Sequence, residues 1–251
     1  LCVIGIHCTK NLLFQSISRI GLPMFTFLSG ILILNSKEEP ISKFYLKRII
    51  KIVIPLYLYS LFYIYVYKYN FSISILETKN FIEELINITR GYTHYHLWYV
   101  YMIIGIYVYA PFLKNMCKNL TDKNCKILLI VIFITVFIQY TLPQYNIKIL
   151  NTNMELVGWT SIFLLGYLTK RIFTTKKSKI AILGLNSFSF SIFARAYIPK
   201  LTNINDLCIT MMFQLMALYL FFYNNKSKIL KNDKIKKIIS HLSKYTWEIY
   251  L

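Results

Sequence analysis

Residues 47–67 read KRIIKIVIPLYLYSLFYIYVY, a stretch in which three basic residues precede sixteen residues without a charge. An uncharged run of this length approaches the ~20 residues that cross a bilayer as a helix. The alternating tyrosines at its end are a pattern typical of a strand, but the run exceeds the ~10 residues of a barrel strand. Basic residues mark the cytoplasmic end of a span. The stretch therefore predicts a transmembrane helix that enters from the cytoplasm.

The same alternation of apolar runs and polar connectors extends along all 251 residues, 56% of which are hydrophobic, with a mean hydropathy of +0.49. It predicts an all-α, polytopic transmembrane bundle of about nine spans, without an internal repeat. The predicted spans are 1–8, 21–34, 49–67, 97–113, 127–143, 156–170, 180–195, 207–223 and a last one from about 239. Because the first and last runs are too short to cross a bilayer, we expect a single integral-membrane domain over residues 1–251 that is incomplete at both ends.

The basic residues give the orientation of these spans. The net charge is +19, from 29 Lys and Arg against 10 Asp and Glu. Connectors 36–51, 114–126, 170–179 and 224–237 hold 20 of the basic residues, whereas the intervening connectors 9–20, 68–96, 143–154 and 195–206 hold eight. An excess of Lys and Arg marks the cytoplasmic loops. The charge therefore predicts a topology and a lipid bilayer as partner, and it excludes a nucleic-acid surface.

Cysteine and histidine spacing gives no sign of a disulfide framework or a metal. The five cysteines form no CxxC pair and no Cys/His ligand pattern. His94 and His96 lie two residues apart, but no carboxylate or third ligand is close in sequence. We expect no metal and no bound cofactor, and we interpret His96 and Trp98 as part of an interfacial aromatic segment.

Two groups of ionisable residues are candidates for chemistry. His7 follows an apolar run, where desolvation lowers the pKa of a histidine and leaves the neutral base. It is equally a candidate for a hydrogen-bonded histidine at a helix end. Arg48 and Lys51 lie three residues apart and would share a helix face, so they could hold the phosphates of a cytosolic donor. Basic residues at that position also anchor a helix at the membrane surface.

The order of several short motifs resembles the membrane-bound acyltransferase family 3, bacterial proteins that O-acylate sugars of the cell surface and antibiotics. The matching elements are Ile6-His7, Gly21-Leu22-Pro23-Met24-Phe25 through Leu28-Ser29-Gly30, Phe44 with Arg48, Lys51 and Pro55, His96-Leu97-Trp98-Tyr99, Phe163-Leu164-Leu165-Gly166-Tyr167 and Ser243-Lys244-Tyr245-Thr246-Trp247-Glu248-Ile249-Tyr250-Leu251. Each element is short, but six in this order across essentially the whole chain are specific.

The resemblance implies an O-acetyltransferase in the plasma (inner) membrane, with acetyl-CoA or another acyl-CoA as donor and a sugar or glycan as acceptor. It implies that His7 is the catalytic histidine, and that Arg48 and Lys51 match a paired-arginine motif at the cytoplasmic side. Lys51 departs from the second arginine of that motif and lacks its bidentate fork. Arg19, His96 and Trp98 are the further candidates for contacts with substrate or donor.

Two other classes of protein share part of this pattern. A flippase for polysaccharides or lipid-linked sugars has many spans, aromatic residues and basic loops, but such transporters commonly show internal repeats. A structural or sensory membrane subunit is the third alternative. Acyl transfer from a labelled donor separates the enzyme from both.

Overall fold

The computed structural model describes residues 18–68, 78–91, 97–145, 147, 158–173, 182–187, 189–190, 207–231, 237 and 240–241. Within these residues the chain forms helices and turns, and no strand occurs. The prediction of an all-α protein is therefore confirmed for the described part of the chain. The predicted partial span 1–8 lies outside the described residues, as do His7 and His96.

Eight α-helices with defined bounds follow one another along the described chain, which is also helical at residues 182–187 and 189–190. They are α1 (Gly21–Leu34), α2 (Ile41–Arg48), α3 (Ile54–Tyr67), α4 (Thr78–Arg90), α5 (Trp98–Lys118), α6 (Asp122–Val136), α7 (Trp159–Phe173) and α8 (Ile209–Lys231). A π-helical turn, Ile49–Val53, joins α2 to α3, and a second one, Phe137–Thr141, follows α6.

Three helical segments of the described chain are long and apolar enough to cross a membrane. They are Ile41–Val66, Trp98–Lys118 and Asp122–Thr141, and the shorter helix α1 is also apolar. These segments overlap the predicted spans 49–67, 97–113 and 127–143, while α1 has the predicted bounds 21–34. The chain is thus a membrane protein, and the total of nine spans stays a prediction.

The structure differs from the sequence prediction on both sides of α3. The helix that contains α3 begins at Ile41, eight residues before the predicted span 49–67. In addition, α4 forms inside the predicted connector 68–96. This helix contains charged residues and so forms no uncharged run, although its apolar residues recur at helical spacing.

The chain divides into two compact units, residues 1–36 with 114–250 and residues 37–113. The prediction of a single domain is not tested by this division. In the first unit, α1 and α7 pack at two glycines. A Cβ atom on Gly30 would lie 1.8 Å from the carbonyl oxygen of Phe163, and one on Gly166 would lie 2.1 Å from that of Phe27. Glycine allows helix backbones to approach this closely.

Polar contacts at the helix ends of the first unit follow the charge pattern of the connectors. Lys114 Nζ donates to Ser36 Oγ at 2.9 Å, which joins two lysine-rich connectors. At the lysine-poor ends, the Ile209 N–H donates to Thr141 Oγ1 at 3.2 Å. Connectors of like charge density therefore meet in this unit, as a bundle with alternating loops requires. The cytoplasmic location of the basic end stays a prediction.

Candidate functional site

The candidate donor site lies in the second unit, where α2 passes into the π-helical turn. Pro55 has no N–H to donate to the carbonyl four residues before it, and its ring crowds that carbonyl. The preceding turn widens, so that the Ile54 N–H bonds to the Ile49 carbonyl, five residues back. π-helical turns are frequent at functional sites. Arg48 is the last residue before this irregular turn.

The guanidinium of Arg48 lies between two aromatic rings. It is 4.0 Å from the centre of the Phe44 ring and 5.6 Å from the centre of the Tyr107 ring. Its nearest anion is Glu39, at 3.9 Å, which also pairs with Lys47. Within the described chain, no hydrogen-bond acceptor contacts its N–H groups. The rings thus hold the cation by its face and leave its edge to accept an anion.

The surroundings of Arg48 include residues of α5 that the sequence did not predict. Tyr107 and Val108 lie at the middle of α5, a helix long enough to cross the bilayer. Pro111 leaves the Tyr107 carbonyl without an intrahelical partner, and one residue further on the Tyr45 hydroxyl donates to the Val108 carbonyl at 2.7 Å. Arg48 therefore lies over a ring from the middle of α5, a helix that is long enough to cross the bilayer.

The structure separates Lys51 from the surroundings of Arg48. Lys51 lies inside the π-helical turn and is exposed. In an α-helix, residues three apart share a face, but the wider π-helical turn gives a smaller rotation per residue. Lys51 accordingly makes no ion pair within the described chain, and only Arg48 contacts the aromatic pair. The donor-binding role of either residue stays a prediction.

Two further predicted site residues, Arg19 and Trp98, are described, and they lie near the starts of two different helices. Arg19 precedes α1 and is half-buried. Trp98 is the first residue of α5, and its ring packs edge-on against that of Tyr99 at 6.0 Å between centres. An indole at the first residue of a span is typical of the membrane interface. The roles given to both residues stay predictions.

Sequence reasoning missed Arg171, whose guanidinium makes polar contacts with four residues of the described chain. Its guanidinium donates to the carbonyls of Cys117 and Leu120, at and just after the end of α5, at 3.1 and 2.7 Å. It also donates to the Tyr167 hydroxyl and to the Asp122 carboxylate. The bond to Tyr167 raises the pKa of Arg171 above its usual value, so the guanidinium keeps its charge.

The contacts of Arg171 are not visible as a sequence motif, because three of its four partners, Cys117, Leu120 and Asp122, lie about 50 residues away along the chain. The one signal in the sequence is the position of Arg171 directly after an apolar span. That position predicts a charge at the membrane surface but gives no acceptor for it.

The apolar helices define an integral membrane protein, and Arg48 lies between two aromatic rings at the end of its lysine-rich connector 36–51. Comparison with protein families gives the particular family. The whole chain, residues 1–251, matches the acyltransferase domain of acyltransferase family 3. The chain belongs to this family, and the resemblance noted from its motifs is confirmed. No curated protein and no solved structure matches it significantly.

Proposed function

We propose that this membrane acyltransferase moves an acetyl group from cytoplasmic acetyl-CoA to a hydroxyl of an extracytoplasmic or lipid-linked sugar. Membership of the family supports acyl transfer. The observation that carries the donor assignment is Arg48, whose N–H groups have no hydrogen-bond partner in the described chain while two rings hold its face. An arginine edge presented in this way fits the phosphate groups of coenzyme A.

The surroundings of Arg48 support an anion that enters from the basic side. Lys47 and Arg48 share Glu39 as their anion, so two cations face one carboxylate. Lys37, Lys43 and Lys51 add exposed positive charge to the same connector. A phosphate group therefore meets a local excess of cations, which favours capture of an anionic donor.

In the proposed reaction, the sugar hydroxyl attacks the carbonyl carbon of the thioester. His7 accepts the hydroxyl proton, the carbon–sulfur bond breaks, and coenzyme A leaves as a thiolate that takes up a proton. In the alternative order, the imidazole of His7 first carries the acyl group and then passes it to the hydroxyl. Arg19 is the proposed donor to the oxyanion of the tetrahedral intermediate.

The test is incorporation of label from acetyl-CoA into glycan by membranes that contain the protein. We expect label in the glycan with the parent protein and none with His7→Ala. His241→Ala, at an exposed histidine to which the proposal gives no role, is the matched control and should retain activity. Glycan translocated without acylation would instead support a flippase. Unchanged labelling with His7→Ala would contradict the role of His7.

A further inference from the structure

The short helix α4 presents an apolar face that no part of the described chain covers. Phe81, Ile82 and Ile86 are 37%, 52% and 44% exposed, respectively. Ile82 and Ile86 lie four residues apart and share a face, and Phe81 lies beside them. Glu83 and Arg90, also exposed, lie on the adjoining polar side. The exposed surface of α4 therefore has an apolar part and a charged part.

A different side of α4 is fixed to α3. The buried carboxylate of Glu84 pairs with Lys68 at 2.5 Å, directly after the end of α3. Ile88 is fully buried and packs with Ile64. These contacts place α4 against the last turns of a membrane-spanning helix and leave the Ile82 and Ile86 side chains outward.

Hydroxyl groups tie the end of α4 to both neighbouring spans. Thr89 Oγ1 donates to the Leu85 carbonyl, so the 2.8 Å bond to Tyr57 has the tyrosine as donor. The Tyr101 hydroxyl lies 2.7 Å from the Ile88 carbonyl and 3.2 Å from that of Gly91. It thereby satisfies carbonyls that the helix end leaves without partners. The position of α4 is thus set by α3 on one side and by the start of α5 on the other.

The neighbours of α4 indicate which environment suits its exposed face. Both neighbours of α4 are spans, and α3 itself exposes Leu58 and Phe62, which a membrane-spanning helix turns to lipid. An apolar face beside such a surface is stable at the boundary between headgroups and acyl chains, with its charged side toward water. We propose that α4 is an interfacial helix whose Phe81, Ile82 and Ile86 side chains insert into the outer leaflet of the bilayer.

The proposal is independent of the acyl donor and acceptor. It assigns a lipid contact to a segment that the sequence placed in the lysine-poor connector 68–96. It also sets Trp98, which starts α5 shortly after α4, at the level of the headgroups, where indole rings are favoured.

Spin labels test the insertion of α4. In a protein whose five native cysteines are replaced, Ile82→Cys, Ile86→Cys and the control Glu83→Cys receive a nitroxide and are reconstituted into phospholipid vesicles. We expect labels at 82 and 86 to collide more often with oxygen than with a water-soluble nickel chelate, and the label at 83 to show the reverse. Nickel-dominated collisions at all three positions would overturn the proposal. Spin–spin broadening at 82 or 86, the sign of a second copy on this face, would overturn it too.

A second measurement needs no substitution and covers the case in which a variant fails to fold. The native protein is reconstituted with a phospholipid that carries a photoactivated diazirine on its acyl chain, irradiated and mapped by mass spectrometry. Adducts on Phe81, Ile82 or Ile86, without adducts on Glu83 or Arg90, are expected. A peptide over residues 78–91 without adducts, in a sample where Leu58 or Phe62 is labelled, would refute the insertion.

Discussion

Gly30 of α1 lies directly against the backbone carbonyl of Phe163 in α7, so close that a methyl group on Gly30 would come within 1.8 Å of the oxygen. Gly166 meets the carbonyl of Phe27 in the same way. Both glycines end a Phe-Leu-X-Gly segment, residues 27–30 and 163–166. The helix α1 is shorter than a full crossing. The reciprocal contact explains its close packing, because the inner face of α1 lies mainly against α7.

Gly30→Ala should destabilise the protein, because the added methyl group has no space unless one backbone moves. We expect a cost of about 1–3 kcal/mol, the range for overpacking, seen as a lower thermal unfolding midpoint in detergent. The matched control is Gly105→Ala in α5, where an added Cβ meets nothing within 4 Å. Equal midpoints for the two variants would show that the contact is not tight.

Arg171→Gln should destabilise the first unit by about 2 kcal/mol, because carbonyls at the end of α5 lose charged donors. Arg171→Lys should recover only part of this, since an ammonium cannot reach several acceptors in a plane. Lys170→Gln, next in the chain, removes the same charge without these bonds and serves as the control. The measurement is the unfolding midpoint. If Lys170→Gln lowered the midpoint as much as Arg171→Gln, the loss of positive charge, and not the loss of the Arg171 hydrogen bonds, would explain the effect.

Arg48→Lys should raise the KM for acetyl-CoA by about tenfold or more, because the loss of a charged, bidentate contact costs about 1.5–3 kcal/mol. The value of kcat should change less, since Arg48 is proposed to bind the donor and not to react. Lys123→Gln removes an exposed charge from the connector 114–126, to which the proposal gives no role, and is the control. A KM unchanged by Arg48→Lys would contradict the donor site while leaving acyl transfer intact.

Glu39→Gln should lower the KM for acetyl-CoA by up to about fivefold. At the proposed donor site the carboxylate would compete with the donor for Arg48 and Lys47, with which it pairs, and exposed ion pairs of this kind contribute at most about 1 kcal/mol. Glu38→Gln removes the neighbouring, exposed charge and controls for the general increase in positive potential. Steady-state kinetics on both variants are sufficient. A higher KM with Glu39→Gln would show that the carboxylate positions Arg48 for the donor.

The topology is open to a direct test with reporter fusions. A reporter fused after Lys177, in the lysine-rich connector 170–179, should be cytoplasmic, and one fused after Lys148 should be extracytoplasmic. The physical reason is the retention of Lys-rich loops on the cytoplasmic side. The reverse result at Lys177 would invert the orientation of every span and place Arg48 at the wrong side for a cytoplasmic donor.

The sequence alone determined the all-α class, because uncharged runs near the length of a bilayer crossing admit only helices when they exceed a barrel strand. It also determined the bounds of α1 and the family, from motifs in a fixed order. It missed α4 and the first turns of the long helix from Ile41, since both carry charges and differ from connectors only in their helical spacing. Whether such segments pack is decided by neighbours far away in the chain.

For the candidate site, the sequence supplied Arg48 and Lys51 as a pair on one face, and only the tertiary structure distinguished them. The loss of one backbone donor at Pro55 widens the turn between them, and Tyr107, from a different helix, completes the ring pair around Arg48 alone. Residue type and spacing determine which groups are charged. Which of them is stacked and which stays exposed depends on where helix irregularities and partner side chains meet, and that is fixed by packing.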